Sequence, residues 1–214
     1  VGMELADRTG FEPVMSQGRM LFGDIYREYQ QHPDHLRLAV NYYLDAARLC
    51  GSNLSCLARA QYYAGQGFME FEDYEQATRY LLLSRALYER IPDTAMQVYA
   101  LLSLSETSQA TETWEEVKGY ANEALALARA ANMDSALTMS LLHIAAQNVY
   151  NKDYPEATAL LAEAIQLAEE APYPSILGEA KLKQANLMFL TNNPTLSIGY
   201  YNEAMALFEK HENL

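Results

Sequence analysis

Small and bulky side chains recur along this 214-residue chain in a pattern that returns about every 40 residues. A small residue is followed by a bulky one four positions later, and by another small residue three positions after that. The copies are Ala39/Tyr43/Ala46, Ala77/Leu81/Ser84, Val117/Ala121/Ala124, Ala157/Leu161/Ala164 and Ser197/Tyr201/Ala204. Positions i, i+4 and i+7 lie above one another on one helical face. Each copy therefore predicts a helix whose small side chains let a second helix backbone approach closely.

The spacing of these copies predicts the architecture. Their first members lie 38, 40, 40 and 40 residues apart, and a fixed period in this range is typical of stacked helical repeats. No segment alternates with the two-residue period of a strand. The sequence therefore predicts an all-α fold of about five helix-turn-helix repeats. The predicted helices are 16–31 and 34–50, 54–70 and 74–91, 94–110 and 114–131, 135–151 and 155–170, and 175–191 and 194–211.

Motifs around the second and fourth copies resemble the tetratricopeptide repeat (TPR) family. Ala64-Gly65 and Phe68 precede Glu72-Asp73-Tyr74-Glu75-Gln76-Ala77, and Asn151-Lys152-Asp153-Tyr154-Pro155-Glu156-Ala157 repeats the turn between helices. Thr113-Trp114-Glu115-Glu116-Val117 and Asn192-Asn193-Pro194-Thr195-Leu196-Ser197 are weaker copies. The resemblance covers about residues 16–211 and implies a right-handed α-α superhelix, or solenoid, although the family's usual period is 34 residues.

The same resemblance implies a domain organisation. A single TPR-like array is expected over 16–214, after an unassigned N-terminal segment 1–15. Its repeats are expected at about 16–52, 53–92, 93–132, 133–172 and 173–214.

In proteins of this family the first helix of each hairpin lines a concave groove that receives an extended peptide or a partner helix. Projecting that face onto this chain gives a mixture of apolar, aromatic and polar side chains, as expected where pockets anchor a peptide. The candidates are Arg59, Tyr62, Gln66, Met69, Tyr99, Leu102, Glu106, Met139, Leu142, Asn186 and Phe189. The projection also includes Asp24, Glu28, Gln109, Ala146, Glu179 and Leu182. The alternative for each of them is that it packs on a neighbouring helix.

The implied function is that of a protein- or peptide-binding scaffold or sensor module. Because the chain starts at Val1 without an initiator methionine, we expect it to be part of a longer protein. Similar TPR arrays serve as sensor or regulatory segments, so the resemblance implies a larger signalling or regulatory protein. The alternative function is homo-oligomerisation through the C-terminal hairpin. Its last helix carries Tyr200, Tyr201, Met205, Leu207 and Phe208, with no obvious capping helix after it.

Charge narrows the range of partners. With 15 basic and 28 acidic residues, the net charge of −13 disfavours direct binding to nucleic acid, whose phosphates it repels. The excess carboxylates keep the helix surfaces solvated, and a basic partner is the alternative interpretation. No apolar run of about 18 residues predicts a membrane span in this segment.

Catalytic and metal-binding motifs are not found in the sequence, so we expect no enzyme and no cofactor. There is no HExxH pattern, no paired CxxC and no phosphate loop. His32, Asp34 and His35 share one turn, and we interpret them as polar turn residues rather than metal ligands. His143, between Leu142 and Ile144, is interpreted as a packed helix residue.

Two cysteines flank a predicted turn between hairpins. Cys50 ends one helix and Cys56 begins the next, with Gly51-Ser52-Asn53-Leu54-Ser55 between them. Such a turn can bring the Cα atoms within the roughly 4.4–6.8 Å that a disulfide requires. The alternative is two small buried thiols. A disulfide would imply an extracytoplasmic compartment, and free thiols a cytoplasmic one.

Overall fold

The computed structural model describes residues 12–29, 34–170 and 173–212. Within these ranges all regular secondary structure is α-helical, and ten helices follow one another along the chain. They are α1 (Glu12–Glu28), α2 (His35–Leu49), α3 (Leu54–Glu70), α4 (Tyr74–Tyr88), α5 (Thr94–Ala110), α6 (Trp114–Ala130), α7 (Asp134–Tyr150), α8 (Tyr154–Glu170), α9 (Pro174–Leu190) and α10 (Pro194–Glu212).

From α3 onward the helices keep a strict period of 40 residues. First helices begin at Leu54, Thr94, Asp134 and Pro174, and second helices begin at Tyr74, Trp114, Tyr154 and Pro194. The prediction of an all-α, TPR-like helical repeat is confirmed, and the predicted bounds agree to within a few residues. The right-handed superhelical course and the repeat boundaries stay predictions.

The first helix departs most from its predicted bounds. It begins at Glu12 instead of residue 16, so part of the predicted N-terminal segment 1–15 is helical. Pro13 is compatible with this start because the first turn of a helix needs no N–H from proline. Residues 1–11 of that segment lie outside the described residues.

In the four hairpins from α3 to α10, the turn uses a residue in the left-handed region at the same place in the period. These residues are Glu72, Glu112, Lys152 and Asn192, with φ between 57° and 63°. At the first of them the chain reverses through a hydrogen bond from the Asp73 N–H to the Phe68 carbonyl, 3.0 Å long. The Asp73 carboxylate then caps α4 by accepting from the Gln76 N–H at 3.2 Å. The turn therefore ends one helix and begins the next.

The chain divides into two compact units, Val1–Thr111 and Glu112–Leu214. In the first unit, α1 to α5 pack consecutively, and the first helices α1, α3 and α5 also touch one another in sequence. In the second unit, α6 to α10 pack consecutively, and α7 also contacts α9.

The recurring triplets form the helix contacts of both units. Every small residue of the five copies is buried, as the sequence predicted. In the second unit Ala157, Leu161 and Ala164 of α8 pack with Leu141 of α7 and Leu187 of α9. The small side chains therefore mark where helix backbones come close.

Two variations on the pattern have local explanations. Ser84 is buried in α4, and its hydroxyl donates to the Ala58 carbonyl of α3 at 2.9 Å, which satisfies the polar atom. Gly65 of α3 has no room for a side chain, because a Cβ there would lie 2.8 Å from the Leu81 Cγ. The glycine therefore serves close helix packing, as expected from the sequence.

A disulfide joins Cys50 and Cys56 across the α2–α3 turn, with the two Cα atoms 5.5 Å apart. Gly51 adopts a left-handed φ of 55° in this turn. The Asn53 side chain caps α3 by accepting from the Cys56 N–H at 3.0 Å. The extracytoplasmic compartment that such a disulfide would imply stays a prediction.

His143 of α7 is buried, in agreement with its interpretation as a packed helix residue. Its Nδ1 has no hydrogen-bond partner. Burial, together with the positive charge of Lys183 on α9, lowers the pKa of His143 to about 4. The imidazole is therefore neutral at physiological pH.

The core packing predicts the effect of enlarging a triplet residue. Replacing Ala157 with Leu should overpack the contact of α8 with α7 and lower the free energy of unfolding by roughly 1–3 kcal/mol. Ala159→Leu, on the exposed side of the same helix, is the matched control. Thermal or denaturant melts measure the difference, and equal stability of the two variants would contradict the assigned register.

The disulfide predicts a chemical and a thermodynamic result. Mass spectrometry after alkylation of unreduced, unfolded protein from an oxidising compartment should find neither Cys50 nor Cys56 alkylated. Closing so short a loop stabilises the fold by about 2 kcal/mol, so reduction should lower the melting temperature. Reduced protein, alkylated at both positions, is the control. Alkylation of both cysteines in the unreduced sample would show that the native protein does not contain the disulfide.

The buried imidazole predicts a pH dependence of stability. The unfolded chain takes up a proton near the ordinary pKa of 6.5, whereas the folded chain resists protonation down to about 4. The free energy of unfolding should therefore fall by roughly 1–3 kcal/mol through this histidine as the pH drops across that window. Denaturant melts of the parent and of His143→Leu, from pH 7 to pH 4, isolate the effect by difference. Parallel pH profiles would show that His143 does not titrate as its burial implies.

Candidate functional site

The candidate site lies on the first helices of the first unit. On α3, Arg59, Tyr62 and Gln66 follow one another at spacings of three and four residues, so they share one helical face. The Arg59 guanidinium is exposed and lies over the Tyr63 ring, 5.7 Å from its centre. A cation held on an aromatic face keeps its outer N–H groups available to a ligand.

A hydrogen-bond network joins this face to α5. The Gln66 Nε2 donates to the Tyr62 hydroxyl at 3.2 Å and also to the Ser103 hydroxyl of α5. The Ser103 hydroxyl in turn donates to the Tyr99 carbonyl at 2.9 Å. The network holds the Tyr62 and Gln66 side chains in place, so this part of the face is preorganised.

Tyr62 is largely shielded from water. Burial raises the pKa of Tyr62 above its ordinary value, and its ring meets that of Tyr63 edge to face at 5.3 Å. The phenol therefore stays protonated at neutral pH. It presents an apolar ring and a neutral hydroxyl to a ligand, rather than a charge.

Two interactions hold α1 against its neighbours beside this face. Arg27 of α1 pairs with Glu70 of α3, with 3.1 Å between the Nε and Oε1 atoms. The Tyr43 hydroxyl of α2 donates to the Asp24 carboxylate of α1 at 2.9 Å. Burial raises the pKa of Tyr43, and its bond to Asp24 adds to the effect. The hydrogen bond from Tyr43 therefore holds the Asp24 side chain in place through one of its two carboxylate oxygens.

An open cleft of about 410 Å³ lies between α1 and α3. Its walls combine the opposite charges of Asp24 and Arg59 with the apolar side chains of Met20 and Leu21. The lining is completed by Gln17, Asn53, Ser55 and Cys56. A volume above about 300 Å³ with mixed lining is typical of a ligand-binding recess.

The predicted groove residues of the first unit differ in their exposure. Tyr62, Gln66 and Met69 are half-buried on α3, whereas Arg59, Tyr99 and Glu106 are exposed. Leu102 is buried, which corrects its assignment to an open groove. Every residue of α5 from 100 to 105 is buried, so this helix has a narrower open face than the projection assumed.

In the second unit the predicted residues lie on α7 and α9. Phe189 is 68% exposed and Met139 is half-buried. Asn186 is exposed but accepts a hydrogen bond from the Tyr201 hydroxyl of α10. Leu142 is fully buried in the core of this unit, so its assignment to the groove is also corrected.

Sequence reasoning missed several residues of the site. Ser103 directly follows Leu102, one of the residues projected on α5. It lies 40 residues after Tyr63, so the strict period could have indicated that it borders the projected face. Gln17 and Asn53 lacked a comparable signal, because the cleft depends on how α1 packs against α3.

Other site types receive no support from the part of the chain that the structure describes. There, no helix is long and apolar enough to cross a membrane. Over the same residues, no group of three histidine, cysteine or acidic side chains is arranged to hold a metal ion. His32, one of the three turn residues weighed as ligands, lies outside the described ranges.

Comparisons with known proteins show likeness at the level of structure. No family model and no curated protein matches the sequence. The structure is similar to TPR-like repeats of a kinesin light chain from Podosopora anserina, with a TM-score of 0.70 and 14% identity. That match covers 93% of this chain and 98% of the other.

Two further similar structures belong to longer proteins. One is the Rap conjugation gene regulator of the plasmid pLS20 in complex with the Phr* peptide, with a TM-score of 0.75 and 11% identity. The other is a signal transduction ATPase with numerous domains and a tetratricopeptide repeat sensor, from Pyrococcus horikoshii, with a TM-score of 0.73 and 15% identity. The matches cover 97% and 99% of this chain, which spans 57% and 33% of those proteins. The chain therefore has the TPR-like helical repeat fold.

Proposed function

We propose that the chain is a binding module that takes up a peptide segment of a partner protein on the face of α1, α3 and α5. The observation that carries the proposal is the cleft between α1 and α3, with Asp24 and Arg59 on its walls. An extended peptide offers N–H and C=O groups to such a charge pair. Its apolar side chains would contact Met20 and Leu21.

The network beside the cleft supports the same function. Tyr62 and Gln66 are held by hydrogen bonds before any ligand arrives, so binding loses little side-chain entropy at these positions. Tyr99 adds an exposed ring on the neighbouring helix. Aromatic anchors of limited flexibility usually carry most of the energy of a peptide interface.

Similarity of fold adds support of a general kind. The Rap conjugation gene regulator has a comparable fold and is seen in complex with a peptide. In the Pyrococcus horikoshii protein a tetratricopeptide repeat serves as the sensor of a signal transduction ATPase. We propose a corresponding sensor or scaffold role for this chain, within a larger signalling or regulatory protein and without catalysis.

Mutation of the anchors tests the proposal. A binder identified from a peptide library displayed on phage should lose affinity by about 2 kcal/mol or more with Tyr62→Ala, and also with Arg59→Ala. Isothermal titration calorimetry measures the affinities. The loss of affinity caused by Tyr62→Ala should change little when salt is added, because apolar contacts are not screened.

The chain supplies a matched control for the arginine. Arg79 on α4 also lies over a tyrosine ring, 5.6 Å from the centre of Tyr80, but outside the proposed face. Arg79→Ala should therefore keep the affinity of the parent. If Tyr62→Ala and Arg59→Ala are folded and bind as well as this control, the site is elsewhere.

A second candidate function is self-association through the C-terminal hairpin. Met205 of α10 is 58% exposed, whereas its counterpart Ile165, 40 residues earlier, packs against the core of the second unit. Leu196 and Ile198 are also exposed on α10. The molar mass in solution over a range of concentrations separates the two functions. A dimer that Met205→Glu dissociates favours self-association, and a monomer favours peptide binding.

We also propose an oxidising, extracytoplasmic compartment for the chain. The supporting observation is the disulfide between Cys50 and Cys56, since such bonds persist outside the reducing cytosol. The alkylation experiment described above bears on this proposal too.

A further inference from the structure

A second cleft, of about 340 Å³, opens between α8, α9 and α10 in the second unit. It shares no residue with the proposed peptide site. Its walls include the apolar side chains of Ala162 and Ile165 and the polar side chains of Glu169, Lys181 and Gln184. The volume lies in the range of about 300–1,000 Å³ that small ligands occupy.

One cation already lines the cleft, and it is neutralised by one carboxylate of the lining and one beside it. Lys181 of α9 is only 14% exposed, and its Nζ lies 3.2 Å from Glu169 of α8 and 3.0 Å from Glu203 of α10. The same ammonium lies 5.7 Å from the centre of the Tyr200 ring. Burial alone would lower the pKa of Lys181, but the two carboxylates outweigh burial and raise it. The three charged groups together carry one net negative charge.

Two neutral polar groups of the cleft already donate a hydrogen bond within the protein. The Thr158 hydroxyl donates to the Tyr154 carbonyl at 2.8 Å, and the Gln166 Nε2 donates to Glu170 at 3.3 Å. Their oxygen lone pairs remain available. Gln184, only 6% exposed, has an Oε1 with no hydrogen-bond partner. A buried acceptor without a donor is destabilising, and an N–H that entered the cleft would satisfy it.

We propose that this cleft binds a guanidinium or ammonium group carried on an apolar chain, the chemistry of an arginine or lysine side chain or of a free alkylamine. The cation would lie between Glu169 and Gln184, and its aliphatic part would contact Ala162 and Ile165. An anion would instead have to displace the two carboxylates from Lys181. The net charge of −13 on the whole chain also attracts cations. The inference does not rest on the peptide-binding proposal.

Calorimetric titration with three probes tests the inference. N-acetyl-L-arginine methylamide represents an arginine side chain, agmatine represents a free cation, and N-acetyl-L-citrulline methylamide is the neutral isostere. Saturable binding of either cation, with no binding of the citrulline compound, is expected. Binding of agmatine alone would indicate a free ligand, and binding of both cations would indicate a side-chain site. No saturable binding of either cation, or equal binding of the citrulline compound, would overturn the inference.

Variants assign the binding to this cleft. Glu169→Gln and Gln184→Met should each weaken cation binding by about tenfold. Glu163→Gln is the matched control, since Glu163 is a similarly exposed carboxylate of α8 that pairs with Arg129 outside the cleft, at 3.8 Å. It should bind as the parent does. Melting curves confirm that each variant is folded, and equal affinity of all three folded variants would overturn the assignment.

Discussion

Close approach of neighbouring helix backbones, permitted by a small residue at each crossing, is the constraint on which the rest of the structure depends. Ala157 and Ala164 show it in the second unit, where both are fully buried against α7 and α9. Gly65 shows its limit in the first unit, since even a methyl group would collide with Leu81. Protein interiors are packed too densely to absorb such an addition without moving a helix. The small residues therefore determine the distance between helices, and with it the width of every cleft between them.

The clefts follow from this packing because some side chains stay partly uncovered where neighbouring helices leave space. In the first unit those side chains include Arg59, Tyr62 and Gln66, which are arranged by a tyrosine ring and by Ser103. In the second unit they include a lysine enclosed by two glutamates. The first cleft combines opposite charges with apolar side chains, whereas in the second a lysine has two carboxylates beside it. The two units therefore offer different chemistry on the same helical framework.

Buried polar groups distinguish the positions that serve the fold from those that remain available to a ligand. Ser84 is fully satisfied by a backbone carbonyl, so it acts as a small core residue. His143 is kept neutral by burial, so the additional cost of charging it appears only at acidic pH. Gln184 differs because its unpartnered oxygen belongs to a residue that lines a cleft. A buried polar atom without a partner thus suggests a ligand-binding site only where it borders a cleft that a ligand can enter.

The sequence by itself determined the repeat, the helix order and the positions of the contacts, because these depend on local periodicity and on residue size. The 40-residue period and the turn motif around Asp73 are both local properties. Tertiary structure decided which side chains remain open. Leu102 and Leu142 have the spacing of Tyr62, yet both are buried, because exposure depends on how many neighbours cover a helix. The clefts at Asp24 and at Gln184 likewise join residues from different helices, and their separations are determined only when those helices pack.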